Sequence, residues 1–445
     1  MPARLIEIVG RLRTAPGRKR LLLGAFFRTW RVLFPIARAY RRTLIRRTRV
    51  VAVVGSFGKT TATRAVYAAL GLPIRFPSGW NSGGFLAVGL LRIRPGARHA
   101  ALEVGISRKG MMARCARLIG PDIAVVTSIG SEHHPSLGTL EETRNEKVEM
   151  VRALPLSGLA VLNGDDPNVV WMRNATLARV ITFGLGDACD VRASSVVLDI
   201  RTGMRFTLHA NGTTYEMTSR LIGPHMVHSI LAAVAVVVGE GLPLEDALPR
   251  LRSVTAAPER LEVVPAEGGA FLLVDTYKSV LETIVTSFET LAALQADRKI
   301  VVLGDIEEPK GSQGLLYKDL GARLACIATR VVFVGGEKAY KSLASGARGT
   351  GMPKERVAYA GRSSRRAAEL VREDLRAGDI VLIKGRSMQQ LERVAFHLTG
   401  RPMPCDIGAC GLKSGCAECP LIVRAVRRAQ AKARSSAGRL PAADG

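Results

Sequence analysis

The chain has 445 residues and is 47% hydrophobic and 23% charged, which is the composition of a soluble globular protein with room for two or three domains. Its formal net charge of +26 favours anionic partners, namely anionic lipid, nucleic acid or polyphosphate substrates. Because no recognised nucleic-acid-binding motif is present, a sequence-specific nucleic-acid-binding protein is the least favoured of these classes.

Residues 1–48 form a basic amphipathic segment with one acid, Glu7. An apolar run over 21–27 is followed by Trp30 and Phe34, but arginines interrupt it, so it is too short and too charged to span a bilayer. A basic helix with Trp, Phe and Leu on one face suits the membrane interface, and it equally suits packing on the protein's own core. The chain is expected in the cytoplasm, either free or on the inner face of the membrane.

A glycine loop follows the first predicted strand. Val50–Val54 is an apolar, β-branched run, and a helical pattern begins at Ala62. Strand, glycine loop and helix form a phosphate cradle, in which backbone N–H groups approach the phosphate, a lysine supplies charge and a threonine hydroxyl reaches Mg²⁺. The spacing departs from the usual G-x-x-x-x-G-K-[ST], so a simple glycine turn before a lysine is the alternative. The loop consists of Gly55, Ser56, Phe57, Gly58, Lys59, Thr60 and Thr61.

The rest of the chain alternates apolar strand-like runs with helical patterns, which predicts an α/β fold. We expect a central P-loop parallel-sheet ATPase domain over 49–255 and a C-terminal Rossmann-like domain over 256–403, with a boundary near Pro258. Short strands fill 158–220. The predicted strands are Val50–Val54, His99–Val104, Asp122–Ile129, Gly158–Asn163, Val180–Phe183, Val196–Ile200, Met204–Ala210, Thr214–Ser219, Phe271–Asp275, Lys299–Leu303, Arg330–Val334 and Ile380–Ile383.

A cysteine cluster occupies residues 404–422, ahead of a basic tail over 423–445. Its four thiols, Cys405, Cys410, Cys416 and Cys419, lie within fifteen residues. They could surround Zn²⁺ or an iron–sulfur cluster, or they could be free or redox-active thiols.

Several motifs between residues 50 and 400 resemble, in order, those of the Mur ligases, the ATP-dependent amide-bond ligases of peptidoglycan precursor synthesis. The closest resemblance is to the MurF-like branch, which adds D-alanyl-D-alanine. It implies a small-molecule carboxylate that is phosphorylated by ATP, with Mg²⁺, and an amine substrate that attacks the acyl phosphate.

The resemblance also implies roles for residues of the central domain. Lys59 would hold the β- and γ-phosphates within the loop 55–61, and Thr60 and Glu103 would bind Mg²⁺. Asn81 would lie near the reacting centre and nucleotide. His133 would bind a second Mg²⁺, with His134 the alternative, and Lys147 matches the lysine that becomes carbamylated.

Later segments match the family less closely. In Gly223–Ser229, the two positions where the family has asparagine hold Met226 and Ser229, so His228 is a candidate substitute for reading adenine. Arg260 would reach the phosphates when the C-terminal domain closes, and Asp275 would meet the ribose. Lys278 replaces an asparagine and would offset charge on the acyl phosphate or select a different substrate.

The segment before the loop is shorter than the UDP-sugar-binding domain that precedes it in the MurF-like branch. We therefore expect the UDP-sugar pocket to be absent, and a lipid-linked or polymeric substrate, or a partner subunit, to take its place. Two other functions stay open: a membrane-associated P-loop ATPase without ligase activity, and a ligase that extends a non-murein peptide or a polyglutamate-like polymer.

Overall fold

The computed structural model describes residues 29–74, 81–131, 137–309, 311–403, 405, 415–420 and 422–428. The chain divides into two compact units, Met1–Ala257 and Pro258–Gly445.

One sheet organises the described part of the first unit. Its order is β2-β1-β3-β4-β5-β6-β7-β8, parallel from β2 to β6 and antiparallel from β6 to β8. The strands are β1 Arg49–Val54, β2 His99–Glu103, β3 Ile123–Val126, β4 Leu159–Asn163, β5 Arg179–Gly184, β6 Val191–Asp199, β7 Gly203–Ala210 and β8 Thr213–Ser219.

Helices accompany these strands in chain order. They are α1 Trp30–Arg42, α2 Lys59–Ala69, α3 Gly83–Leu91, α4 Met111–Ile119, α5 Leu140–Lys147, α6 Glu149–Arg152, α7 Pro167–Val170, α8 Val227–Gly239 and α9 Leu244–Arg252, with short 3₁₀ turns at Trp171–Ala175 and Pro224–Met226.

The second unit has a smaller sheet of order β13-β12-β11-β14-β10-β9 in its described residues, parallel except for β9. Its strands are β9 Glu262–Pro265, β10 Phe271–Asp275, β11 Lys299–Leu303, β12 Arg330–Phe333, β13 Val357–Tyr359 and β14 Ile380–Lys384. Its helices are α10 Leu281–Ala293, α11 Gln313–Ile327, α12 Glu337–Gly349, α13 Ser364–Arg372 and α14 Glu392–Leu398, with 3₁₀ turns at Glu267–Gly269, Lys354–Arg356, Ser387–Gln389 and Cys416–Glu418.

The burial of the strands explains why the α/β prediction is confirmed. Val50–Val54 are all fully buried, as expected for a parallel strand with both faces covered. Strand β8 instead alternates between exposed and buried residues from Glu216 to Ser219, which is typical of an antiparallel strand with one solvent-exposed face. The first sheet is therefore mixed, with its antiparallel part in the block of short strands.

Two strands were not predicted, β9 and β13, and both lie at an edge of the second sheet. β9 is half-buried and β13 has three residues, so neither carries the continuous apolar pattern of its neighbours. Strand β6 begins at Val191, five residues before the predicted strand at Val196.

Helix α1 packs on the core of its own unit. Trp30, Phe34 and Tyr40 lie against the buried cluster beneath it, and Tyr40 donates a hydrogen bond to the carbonyl of Ile93 at 2.7 Å. Buried Arg41 donates to Asp122 at 2.7 Å. Of the two alternatives for this aromatic face, core packing is therefore the one found; residues 1–28 lie outside the described residues. Within the ranges described, no helix combines the length and apolar character needed to cross a membrane.

Candidate functional site

Two glycines give the loop after β1 its shape. Gly55 has φ +148°, and a Cβ there would lie 2.0 Å from Thr127 Oγ1. Gly58 has φ +77° and immediately precedes α2. Only glycine adopts these conformations readily, and the first position also has no space for a side chain. The loop therefore reverses the chain sharply and leads directly into the N-terminus of α2.

Lys59 lies at the first turn of α2 and is 9% exposed. Its Nζ donates to the loop carbonyls of Gly55 at 2.9 Å and Ser56 at 2.8 Å. Thr60 and Thr61 follow and are also buried. The loop thus places an ammonium group and the N-terminus of a helix together, and this combination attracts phosphate.

Ser56 connects the loop to two distant segments. Its Oγ donates to the carbonyl of Gly130 at 3.0 Å and accepts from the Gly130 N–H at 2.7 Å. The same oxygen accepts from Lys147 Nζ at 2.7 Å. A residue 91 positions further along the chain therefore has its amine beside the phosphate loop.

Lys147 ends α5 and is 3% exposed. Burial, reinforced by the charge of Lys59, holds the pKa of its amine well below the ordinary value of 10.5. Its neighbour Glu146 fixes the helix by accepting from the N–H groups of Gly110 and Met112 at 2.8 Å each. The site therefore favours a neutral amine, which is the form of lysine that can react as a nucleophile.

Asn81 and Glu103 form a second polar group at the same sheet edge. Asn81 Nδ2 donates to Glu103 Oε1 at 2.8 Å, and its carbonyl accepts from the N–H of Gly105 at 2.6 Å. Glu103 ends β2, the strand that pairs with β1. Carboxylate oxygens are hard ligands of the kind that Mg²⁺ takes, so Glu103 has the chemistry of its predicted metal role, and Asn81 holds its carboxylate in place. His133 and His134 lie outside the described residues.

The predicted adenine contacts lie at the start of α8. Met226 and Ser229 are buried there. His228 pairs with Asp165, Nε2 to Oδ2 at 2.7 Å. Asp165 also accepts from the N–H groups of Leu185 and Gly186, and these hydrogen bonds, that of His228 foremost, lower its pKa to about 2.

The second unit buries a different lysine at the carboxyl edge of its sheet. Lys384 ends β14 and is fully buried, and its Nζ donates to Asp275 Oδ2 at 2.6 Å and to the carbonyl of Lys278 at 2.8 Å. Ser287 Oγ lies 2.6 Å from the same Asp275 oxygen. Burial lowers the pKa of Lys384, and the charge of Asp275 opposes that shift. One oxygen of Asp275 is thus occupied within the unit.

Other predicted residues surround this pair. The Arg260 guanidinium stacks on the Tyr277 ring, 4.0 Å from its centroid. Lys278 directly precedes Ser279, whose carbonyl accepts from the Glu307 N–H at 2.7 Å. Three buried oxygens here have no hydrogen-bond partner within the described residues, namely Thr276 Oγ1, Ser279 Oγ and Glu307 Oε2. Such orphaned polar atoms are typical of a place where a ligand binds.

The cysteines contact an arginine. Arg393, 5% exposed, has its Nε 3.2 Å from Cys416 Sγ and its Nη2 3.7 Å from Cys405 Sγ. Across the residues with described positions, no group of three or more His, Cys, Asp or Glu side chains is arranged to hold a metal ion. Cys410 lies outside the described residues, so the four-thiol site stays a prediction.

Several residues of these sites were not predicted from the sequence. Thr127 donates to the Phe57 carbonyl at 2.6 Å, and Ser128 Oγ accepts from the Phe57 N–H at 3.0 Å. Both follow β3, and the rule that parallel sheets bind ligands at their strand carboxyl ends could have found them. Ser287 lies mid-helix and carries no local signal.

The fold and the first site together define a class. A parallel sheet whose first strand leads through a glycine loop to a lysine at a helix N-terminus is a nucleotide-binding P-loop domain, here followed by a second α/β unit.

Comparison with known proteins identifies the family. Residues 53–237 match the Mur ligase middle domain, and residues 259–387 match the Mur ligase, glutamate ligase domain. The UDP-N-acetylmuramoyl-tripeptide–D-alanyl-D-alanine ligase of Mycobacterium tuberculosis is 31% identical over 373 residues, covering 78% of this chain and 72% of the relative. The Bacillus subtilis enzyme of the same name is 29% identical over 379 residues, covering 84% and 80%.

Solved structures agree on the fold. The MurF ligase of Thermotoga maritima in complex with ADP has a TM-score of 0.73 at 22% identity, with 84% of each chain covered. The chain belongs to the Mur ligase family, and within it is MurF-like. It is an ATP-dependent ligase that forms carbon–nitrogen bonds in peptidoglycan precursor synthesis.

Proposed function

We propose that this chain joins a D-alanyl-D-alanine amine to the carboxylate of a UDP-N-acetylmuramoyl tripeptide, the substrates in the name of its relatives. The observation that carries the proposal is the convergence of Lys59, Lys147 and Ser56 at the phosphate loop. Two lysines beside one loop can stabilise the charge that moves from ATP to a substrate carboxylate. We also propose that the reaction takes place in the cytoplasm.

Each residue of the first unit has a proposed role. The backbone N–H groups of the loop from Gly55 to Thr61 bind phosphate, and Lys59 leaves the loop carbonyls to contact the β- and γ-phosphates. Thr60 and Glu103 supply oxygens to Mg²⁺, and Asn81 holds the Glu103 carboxylate in place. His133 is proposed as a further Mg²⁺ ligand on the sequence alone.

Lys147 is proposed to act as a carbamate. Only a neutral amine can add to carbon dioxide, and the burial that lowers the pKa of this amine supports that form. The addition forms a bond between the amine nitrogen and the carbon of carbon dioxide and releases one proton to solvent. The resulting carbamate is an anion, which would be attracted to Mg²⁺ and to Lys59. The hydroxyl of Ser56 remains able to hydrogen-bond the modified group, because a hydroxyl both donates and accepts.

Residues of the second unit are proposed to bind the nucleotide and the amine substrate. Arg260 contacts phosphate, and Asp275 accepts from the ribose through Oδ1, since Lys384 and Ser287 occupy Oδ2. Lys278 offsets charge on the acyl phosphate. In the first unit, Ser229 is proposed to lie near the base, and His228, which pairs with Asp165, is proposed to present a polar edge to it.

Measuring the phosphate that is released from ATP tests which substrates the enzyme joins. We expect turnover that requires both the UDP-muramoyl tripeptide and D-alanyl-D-alanine, with a product one dipeptide heavier by mass spectrometry. Turnover with another amino acid or dipeptide, or with a different carboxylate, would replace the proposed substrates. Lys59→Ala should lower this turnover by roughly 10²–10³-fold. Lys109→Ala, which removes an exposed lysine, is the matched control.

The cysteines are tested separately by metal and iron analysis with an absorption spectrum of anaerobically purified protein. Bound Zn²⁺ or an iron–sulfur cluster would support the predicted site at Cys405, Cys410, Cys416 and Cys419. Protein without metal would leave Arg393 and its two thiols as the interaction at this place.

A further inference from the structure

The outer face of α1 is exposed, whereas its inner face is buried. Val32 is 61% exposed and Ile36 is 51% exposed, and the two lie one helical turn apart. Leu44, just beyond the helix, is 61% exposed. The inner side of the same segment is anchored by Arg41 and Ile45, both buried. The segment is therefore held firmly while it presents three large aliphatic side chains to solvent.

Exposed arginines lie at the end of α1 and on neighbouring segments. Three of them follow the helix directly or lie at its end, Arg42, Arg46 and Arg47. Arg92 and Arg94 flank Ile93, whose carbonyl accepts the Tyr40 hydroxyl of α1, so they lie beside that helix. Arg114 on α4 approaches the Trp30 ring of α1 to 5.9 Å, and Arg117 is on the same helix.

Few acids compensate these arginines. In the sequence from residue 8 to residue 121, Glu103 is the one acidic residue. Glu103 is bound by Asn81 at the phosphate-loop edge, and the next acid, Asp122, is paired with Arg41. The sequence from residue 29 to residue 48 contains no acid, so the exposed charges of this segment are all positive. We name the surface formed by Val32, Ile36 and Leu44 with Arg42, Arg46 and Arg47 the α1 face.

We propose that the α1 face binds the surface of an anionic phospholipid bilayer. Arginines at such a surface are attracted to the lipid phosphates, and exposed aliphatic side chains enter the boundary between headgroups and acyl chains. A nucleic acid would be attracted by the arginines but would gain little from the three aliphatic side chains, and this favours lipid. The inference concerns where the enzyme works and does not depend on which substrates it joins.

The experiment is co-sedimentation of the full chain with vesicles of phosphatidylcholine alone and of phosphatidylcholine mixed with phosphatidylglycerol. We expect binding to the mixed vesicles that weakens with added salt. The charge variant is R42Q/R46Q/R47Q. Because each arginine near an anionic surface strengthens binding about fivefold, it should bind on the order of 100-fold more weakly. The control R362Q/R365Q/R366Q removes three exposed arginines of the second unit and should bind as the parent does.

A second variant, V32S/I36S/L44S, separates lipid from other polyanions. It should weaken vesicle binding by roughly tenfold and leave binding to a duplex DNA oligonucleotide unchanged. The proposal is overturned if the full chain does not sediment with anionic vesicles. It is equally overturned if the control R362Q/R365Q/R366Q loses as much vesicle binding as R42Q/R46Q/R47Q. It is also overturned if the aliphatic variant binds vesicles as tightly as the parent. ATP turnover with soluble substrates should be the same in all variants, so a failure here is distinguishable from a failure of the proposed ligase reaction.

Discussion

Each unit buries a lysine at the carboxyl edge of its sheet, and the two lysines have opposite surroundings. Lys384 is paired with the carboxylate of Asp275, which also receives Ser287. Lys147 has a hydroxyl, Ser56 Oγ, as its hydrogen-bond partner within the described residues, and another lysine nearby. Burial lowers the pKa of both amines, but the hydrogen-bonded carboxylate of Asp275 opposes that shift at Lys384, whereas at Lys147 burial and Lys59 outweigh the charge of Asp166. The difference separates a lysine that holds structure from a lysine available for chemistry.

Removing the structural lysine should have the largest effect on stability. Lys384→Met leaves Asp275 without its cationic partner, and breaking such a buried pair costs about 3–5 kcal/mol. All three tryptophans, Trp30, Trp80 and Trp171, precede residue 258, so tryptophan fluorescence follows the first unit while circular dichroism follows both. We expect a lower unfolding midpoint by circular dichroism with the fluorescence transition unchanged. The double variant D275L/K384M should recover part of the lost stability. If Lys384→Met is as stable as the parent, Lys384 is not the structural lysine that this comparison assumes.

Removing the other lysine should affect activity instead. Lys147→Met should lower ATP-dependent turnover by roughly 10²–10³-fold, because the proposed anion at this position is lost. Its unfolding midpoint by fluorescence should not fall, since a costly buried amine is replaced by an apolar side chain of similar length and Ser56 Oγ keeps its hydrogen bonds to Gly130. Lys109→Met is the control, because Lys109 is exposed and should be dispensable for both. An active Lys147→Met enzyme would contradict the proposed role.

The pH dependence of stability sharpens the contrast. Because the pKa of Lys147 is lowered in the folded state, the unfolded chain binds more protons between that lowered value and 10.5. The free energy of unfolding of the first unit should therefore rise with pH across this window, by up to about 1.4 kcal/mol per pH unit from this residue. Urea titrations followed by tryptophan fluorescence at several pH values would measure the slope. Lys147→Met should flatten it, and an unchanged slope would mean that the amine is charged in the folded protein.

Replacing the serine at each lysine site, Ser287 or Ser56, should give the smallest changes in stability. Ser287→Ala removes one donor from Asp275 and leaves Lys384 in place, so it should cost about 1 kcal/mol. Ser56→Ala leaves the Lys147 amine buried without its partner and also removes both contacts to Gly130, so it should cost more, about 1–3 kcal/mol. Chemical unfolding of the two variants, read by circular dichroism and fluorescence respectively, would test the order. A larger loss in Ser287→Ala would reverse it.

Much of the fold could be predicted because its signals are local. The run Val50–Val54, the glycine loop and the following helix each occupy a few consecutive residues, and the structure contains all three, with the helix beginning at Lys59, three residues before its predicted start at Ala62. The edge strands β9 and β13 were not predicted because they lack an apolar pattern of their own. They are defined by their pairing with a neighbouring strand. The strand–loop–helix arrangement and the α/β class thus follow from the sequence.

The features of the two sites also divide into those that local sequence predicts and those that depend on distant contacts. The sequence by itself determined the glycine loop, Lys59, Lys147 and the order of the family motifs, since these are patterns of residue type and spacing. It could not decide that Lys147 reaches Ser56, or that Lys384 reaches Asp275, 91 and 109 residues apart respectively. Nor could it decide which face of α1 is buried, because an amphipathic pattern fixes that a helix has two faces and not what covers them. Those outcomes depend on packing between distant segments, so only the tertiary structure decided them.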